Sequence, residues 1–432
     1  MPQQSCVEQA NLLNIDKYNE WNPMAVFGIT ERADWTDAER DKMRGLKSST
    51  LAKQSGGTLS PNPFFWKRVG RGSLSLSSPF VNDCCRAFAT GAMTSLQIMK
   101  DSYPDQAALR MGALGPNGVK AEAKKRATMV ESVRDKHEVL GDKMSEAMFP
   151  WVTEDDCAAC KMFEHFDKYN LNTMPENFDW RQLGAVGPVL NQKYCGSCWS
   201  FGTAQDIEGT HFLATGELTP LSEQQLVACD VANDGCDGGW PFRAMQYIHD
   251  WGGMLWNKDY PYKGICAWDA CDERPDDADA ATPTCDQAVL NNETEAKHVS
   301  AIGGYQMVAM GAEYEELTAV ALVKNGPLVI AFNSVGMDFY LHGITGCLNS
   351  ATSDVNSGCI SSYEACNPAD IDHSVLIVGF GEEEVDGVDI PYWVVKNSWA
   401  EEWGEDGYYR IVKGINSCGI ASFVIHSVVK DA

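Results

Sequence analysis

The sequence predicts an α+β fold in two lobes, and two changes of pattern along its 432 residues carry that expectation. After Cys198 an apolar, helix-compatible run continues through Ala214, and Leu221-Ser222-Glu223-Gln224-Gln225-Leu226 starts a second helix with a capping signal. From about Leu328 the pattern turns into short β-rich runs, Leu328–Phe332, Ser374–Phe380, Tyr392–Lys396 and Tyr408–Val412, separated by glycine-rich turns. Helices first and strands later segregate the two kinds of structure. A chain of this length buries more than one core, so two domains are expected. With 44% hydrophobic and 22% charged residues the composition is that of an ordinary globular protein.

The first elements are less regular. Asn11, Ile15 and Asn19 are spaced four apart and share one helix face, a pattern that packing alone explains. Ser48–Ser78 is rich in Ser, Gly and Pro and reads as loop or linker. From Lys120 to Phe149, Ala123, Ala127, Val130, Val133, Leu140, Met144 and Ala147 form the apolar face of an amphipathic helix. That face reads as core, and His137 within it as a packed histidine. Cys84-Cys85 and Cys157-Ala158-Ala159-Cys160 lack further Cys or His at zinc-ligand spacing, so disulfides or free thiols are expected there. No metal or other cofactor is expected.

Charge is unevenly placed. Through Thr173 there are 22 basic and 22 acidic residues, which leaves 12 against 38 for the remainder, so the whole net charge of −26 sits after Thr173. Such a surface repels nucleic acid and anionic membranes, and neither partner is expected. No stretch approaches the apolar length of a membrane span. Met1-Pro2-Gln3-Gln4-Ser5-Cys6 lacks the apolar core of a signal peptide, yet sixteen cysteines point to an oxidising compartment. The start is therefore read as truncated.

Chemistry concentrates in Gln192-Lys193-Tyr194-Cys195-Gly196-Ser197-Cys198-Trp199-Ser200-Phe201. Cys198 falls at a helix N-terminus, where free N–H groups and the macrodipole favour thiolate over thiol. Gln192, six residues upstream, has a side-chain amide able to point at the same spot. A nucleophile beside a neutral donor suggests acyl transfer. Cys195-Gly196-Ser197-Cys198 also reads as a redox dithiol, which would make the protein a thiol–disulfide oxidoreductase. Two structural cysteines without chemistry are the blander alternative. Residues 174–432 hold eleven cysteines, an odd number that leaves one thiol over if the rest are paired.

Cys195-Gly196-Ser197-Cys198-Trp199 fits the papain/cathepsin signature, and the similarity extends over roughly residues 174–432. Pro175-Glu176-Asn177-Phe178-Asp179-Trp180-Arg181 resembles that family's mature N-terminus. Cys236-Asp237-Gly238-Gly239, Asp372-His373 and Asn397-Ser398-Trp399 resemble its later motifs in the same order. The resemblance implies a papain-like cysteine endopeptidase: a helical lobe carries Cys198, a β-barrel-like lobe carries His373, and a cleft lies between. His373 would be the base and acid paired with Cys198, and Asn397 would orient the imidazole. Trp399 would shield that bond from water, and Gln192 with the backbone N–H of Cys198 would form the oxyanion hole. Substrate would lie along Gly238 and Gly239, with its P2 side chain in a pocket of Trp240, Pro241, Ala331, Ile371 and, at the base, Phe423. A phenylalanine at that base implies a preference for medium aliphatic residues. By the same resemblance Cys195 pairs with Cys236, Cys229 with Cys266 or Cys271, and Cys418 with Cys347, Cys359 or Cys366.

Residues 1–173 then read as a propeptide that inhibits its own enzyme, with a long unrecognised insertion at about 40–173. Asn11, Ile15, Asn19, Gly28 and Asp34 match the family's propeptide signature, whereas Thr30 and Arg32 replace its usual Asn and Phe. Insertions at Asp269–Asp286, Leu348–Ala369 and Glu382–Asp389 lengthen the spacing between Cys198 and His373, and none carries a paired histidine, which favours endopeptidase action. Protein or peptide substrates, a monomer, and a lysosomal, vacuolar or secreted location are expected. Asn292 opens a glycosylation sequon. Two other readings stand beside this one: the oxidoreductase using Cys195 and Cys198, and a catalytically silent binding or inhibitor protein working through residues before 174.

Overall fold

The computed structural model describes residues 11–19, 22, 24–33, 35–46, 160–162, 175–264, 284–290, 302–309, 311–346, 366, 368, 371–385 and 388–429. The helix expected over Lys120–Phe149, the linker Ser48–Ser78, His137, Cys84, Cys85, Asp34 and Asn292 lie outside the described residues. In chain order come α1 (residues 11–19), β1 (Ala25–Phe27), α2 (Asp37–Met43), β2 (Cys160–Met162) and β3 (Phe178–Asp179). The helices α3 (Cys198–Thr215), α4 (Glu223–Cys229), α5 (Pro241–Trp251) and the single turn α6 (Gln287–Leu290) follow. Then β4 (Ile302–Ala309), α7 (Glu315–Asn325), β5 (Leu328–Phe332), β6 (Tyr340–Thr345), β7 (His373–Val385), β8 (Val388–Lys396), β9 (Tyr408–Val412) and β10 (Val424–Val429) complete the chain. The α+β class expected from the sequence is the one found.

The β-rich runs are continuous in apolar residues because both faces of these strands are covered. Successive strand side chains point to opposite faces. Leu328, Ile330 and Phe332 of β5 and Val375 and Ile377 of β7 enter one core, with Trp393, Tyr409 and Leu322. Val329, Ala331, Leu376 and Val378 enter a second core, shared with Cys198, Trp199, Ala204 and Ile207 of α3. Strands in order β1-β6-β9-β8-β7-β5-β10-β4-β2 form one sheet, with β3 on β7. The pairs β6–β9 and β2–β4 are parallel and the others antiparallel. Strands β4 and β10 are absent from the sequence expectation: Gly303-Gly304 interrupts one and the polar His426-Ser427 the other, yet both residues of that pair are buried.

Helix α3 is buried from Cys198 through Thr210, which explains its lack of a polar face. It packs so closely on β5 that a Cβ at Gly202 would lie 2.6 Å from Val329 Cγ2. Gly216, at φ 77°, ends it by donating its N–H to Phe212 O. The capping signal of α4 is realised, since Ser222 Oγ accepts from the Gln225 N–H at 3.0 Å. The expected runs for β7 and β8 are shorter than the strands observed. Glu382–Asp389, expected as an insertion, extends their hairpin through Glu382–Pro391 to Val385–Val388. No helix among the described residues is long and apolar enough to cross a membrane.

The N-terminal segment is part of this architecture. Thr36 and Glu39 form a capping box on α2, and Asn19 holds Phe27 through both its amide groups. Strand β1 then adds to β6, with Ala25 opposite Gly343 and Phe27 opposite Tyr340.

Candidate active site

Cys198 opens α3 and is fully buried. Its thiol is free, whereas Cys195 is bonded to Cys236. Burial pushes its thiol up to about 12, against hydrogen bonds from the backbone of Ser374 and Gly45 that favour thiolate. Ser374 follows His373 at the start of β7, so sheet pairing brings the histidine to the head of α3. There His373 Nε2 lies 2.9 Å from Asn397 Oδ1, and its Nδ1 has no hydrogen-bond partner among the described residues. Asn397 follows β8 and is fixed by its backbone N–H, which donates to Gly407 O. The Trp399 ring lies 4.9 Å from the imidazole, tilted by 31°, and covers it. Burial pulls His373 down to about 4, and the nearby Arg44 and Arg32 act in the same direction against the Asn397 bond.

Gln192 is held from three sides. Its N–H donates to Ser398 O, and its Oε1 accepts from Ser398 Oγ at 2.6 Å. Its carbonyl accepts from Tyr262 Oη at 2.8 Å, and that phenol also shares a bond with Ser197 Oγ. The amide nitrogen therefore faces the cleft, where it donates to Cys195 O at 2.9 Å and to Met43 O at 2.8 Å. Ser398 and Tyr262 were not singled out in the sequence. Ser398 stands inside a recognised motif, while nothing near Tyr262 in the chain marks its role.

Met43 belongs to a stretch of the N-terminal segment that lies in the cleft. Gly45 O accepts from the Gly239 N–H at 2.8 Å, and the Leu46 N–H donates to Asp372 O at 3.2 Å. A Cβ on Gly45 would lie 2.0 Å from Gly196 O and 3.0 Å from Cys198 Sγ, so only glycine fits there. Leu46 is buried in the core that contains Trp240, Phe242, Ala331 and Phe423, with Ile371 packed against it. Trp240 caps α5, Pro241 is its first residue, and the Trp240 ring meets Phe423 edge-on at 5.5 Å. The structure thus gathers Gly238, Gly239, Trp240, Pro241, Ala331, Ile371 and Phe423 along one wall. Alternation alone gave no sign that residues 43–46 reach them.

Three arginines of the same segment surround the other wall. Arg44 Nη2 lies 2.6 Å and Arg40 Nε 3.7 Å from Asp338 Oδ2, and Arg44 Nε lies 3.6 Å from Asp372 Oδ2. Arg32 is buried with its guanidinium 3.8 Å over the Trp399 ring.

One disulfide differs from expectation. Cys229 pairs with Cys285, not with Cys266 or Cys271. The reason is local packing: Leu290 of α6 joins Cys229, Leu255 and Tyr260 in a small core, and the Asp286 N–H donates to Tyr260 Oη. Those contacts carry Cys285 to Cys229. Cys418 pairs with Cys366, one of its three candidates. Among the described residues no group of three or more His, Cys, Asp or Glu is placed to hold a metal ion.

A family model described as papain family cysteine protease matches residues 174–428. The chain is similar to cysteine proteinase 15A of Pisum sativum, with 37% identity over 266 residues, 58% of this chain and 61% of that protein. It is also similar to cysteine proteinase 1 of Dictyostelium discoideum, with 34% identity over 277 residues, 62% of this chain and 69% of that protein. The chain spans about three fifths of the length of the first of these curated relatives. Among solved structures, the proform of the Amb a 11 cysteine protease, a major ragweed pollen allergen, shares the fold. It covers 100% of this chain and 81% of its own at a TM-score of 0.56 and 23% identity.

Proposed function

The chain belongs to the papain family of cysteine proteases, and we propose that it is a cysteine endopeptidase that its own N-terminal segment holds latent. One observation carries this reading. A peptide stretch of the chain itself, Met43–Leu46, lies against Cys198 and uses the donors and pocket that a substrate would use: Gln192 Nε2, the Gly239 N–H and the Trp240–Phe423 wall.

In the open enzyme, the Cys198 thiolate attacks the peptide carbonyl carbon and forms the C–S bond. The carbonyl oxygen becomes an oxyanion that accepts from Gln192 Nε2 and the Cys198 N–H. The C–N bond then breaks, and His373, cationic until that point, gives its proton to the leaving amine. The neutral imidazole next takes a proton from water, whose oxygen attacks the thioester; the acid leaves and the sulfur is restored. Asn397 Oδ1 accepts from His373 Nε2–H throughout, which leaves Nδ1 for the proton transfers. Trp399 keeps water from that bond.

In the latent form, burial holds both partners uncharged, the thiol at about 12 and the imidazole at about 4. Removal of the segment admits water, lifts the desolvation of both and lets the thiolate–imidazolium pair form. The disulfides and the family support a lysosomal, vacuolar or secreted location. The bond between Cys195 and Cys236 takes one sulfur from any dithiol, which disfavours the oxidoreductase reading. A thiol-directed epoxide tests the whole. It should modify Cys198 slowly in the full-length chain and rapidly after cleavage near residues 172–174. Cys198→Ala should lose both labelling and peptide hydrolysis, and hydrolysis surviving in that variant would refute the reading.

A further inference from the structure

We propose that Asp338 and Asp372 form a cation-binding subsite across Cys198 from the apolar pocket, and that the enzyme favours substrates with arginine or lysine just C-terminal to the cleaved bond. The inference rests on the peptidase reading of the same site. Gly45 sits against Cys198 Sγ, and its two chain neighbours mark two side-chain sites. Leu46 fills the apolar pocket. On the other side, Arg44 reaches Asp338 Oδ2 at 2.6 Å and approaches Asp372 Oδ2 at 3.6 Å. If the apolar pocket takes the P2 side chain, the acidic site across the sulfur takes a residue after the bond.

The acidic pair is built to hold a guanidinium. The Asp338 side chain is 5% exposed and that of Asp372 16%. Asp372 is fixed by the Ser334 N–H, which donates to its Oδ1 at 2.8 Å. Among the described residues the Asp338 carboxylate has ion-pair or hydrogen-bond partners only in Arg40 and Arg44, both of the N-terminal segment. Removing that segment therefore leaves a carboxylate beside the catalytic histidine without its cations. A seated guanidinium already shows which ligand the site accepts. Arg32 above Trp399 brings a third cation to the same corner, so the segment presents positive charge to this wall and a leucine to the other. A charge-assisted bond in this largely buried site outlasts the screening that weakens the general acidic field. The planar fork of arginine matches carboxylates better than an ammonium, so arginine should lead lysine.

The test uses the full-length chain after proteolytic activation, with internally quenched peptides that keep leucine at P2. The first residue after the bond is varied among arginine, lysine, citrulline, leucine and glutamate. Citrulline keeps the shape of arginine without its charge. We expect kcat/KM for the arginine peptide to exceed that for citrulline about tenfold, a gap of about one decade in transition-state affinity. Asp338→Asn should erase most of that advantage while the ratio of leucine to citrulline stays put. Equal rates for arginine and citrulline in the unmodified enzyme overturn the subsite without any variant. So does an arginine advantage that survives Asp338→Asn. Cleavage of none of the peptides would instead sink the peptidase reading, and the subsite with it.

Discussion

On the proposed reading, a single aromatic residue decides what the apolar wall accepts. Phe423 is buried beneath Trp240 and Phe242, with ring centroids 5.5 and 6.3 Å away, and closes the pocket without a charge. Leu46 shows the size that fits, and burying such a side chain is worth about 1.5–3 kcal/mol. The acidic surface attracts cationic peptides generally, but that field is screened beyond about 8 Å at physiological salt. Misfit in a tight apolar pocket costs about 1–3 kcal/mol per methylene, so shape outweighs it. With all else fixed, Val or Leu at P2 should be cleaved faster than Arg, and Phe423→Glu should narrow or reverse the gap. A matched fluorogenic series differing only at P2 measures this; faster cleavage after P2 Arg by the unmodified enzyme removes Phe423 from the pocket base.

At the scale of elements, the proposed latency depends on a short extended segment between α2 and the cleft. The capping box fixes where α2 begins, and the chain leaves it at Arg44 in extended conformation. From there donors across the cleft take over, the Gly239 backbone N–H and the Gln192 side-chain amide. The close approach at Gly45 is the sensitive point. A methyl group there would press on Gly196 O, a backbone atom that cannot swing aside as a flexible side chain would. Gly45→Ala should therefore weaken docking by about 1–3 kcal/mol and raise the activity of the uncleaved chain by up to roughly 5- to 150-fold. The measurement is the ratio of activity before and after removal of residues 1–173. An unchanged ratio would place the latency elsewhere.

At the scale of the whole molecule, buried ionisable groups make the stability of the fold respond to pH. Asp206 of α3 accepts from the Ser427 N–H through Oδ2 at 2.7 Å, while its Oδ1 has no hydrogen-bond partner among the described residues. Burial raises it to about 7. Its unfolded value is about 3.9, so the stability it confers is complete below that and lost as pH rises through about 7. His426, the neighbour of Ser427 on β10, is pulled by burial down to about 4, so its contribution is present above about 6.5 and lost as pH falls. The two act in opposite directions and largely offset each other between about pH 4 and pH 6.5, so the Asp206 contribution is isolated by substitution. Asp206→Asn cannot ionise, so its Tm relative to the parent should rise between pH 5 and pH 8. The free-energy change has an upper bound of about 4 kcal/mol. A difference in Tm that stays flat over that range would show that Asp206 ionises as easily in the fold as out of it.

The sequence by itself determined the family and the α+β order of elements, and it supplied the residues proposed for the cleft. Those signals are short in the chain: Cys195-Gly196-Ser197-Cys198-Trp199, Asp372-His373, Asn397-Ser398-Trp399, and apolar runs such as Leu328–Phe332 whose two faces enter two cores. Local propensity and spacing encode them directly. The partner of Cys229 was not legible, because packing around Leu290 and Tyr260 selects Cys285 from several cysteines. Nor was the occupant of the cleft. Gln192 meets Met43 across 149 residues, and Arg44 meets Asp338 across 294. Neither Arg32 nor Gly45 looks remarkable among its neighbours in the chain. Each acquires its role only when the N-terminal segment docks, because hydrogen bonding and charge pairing act over a few ångströms of space and are indifferent to distance along the chain.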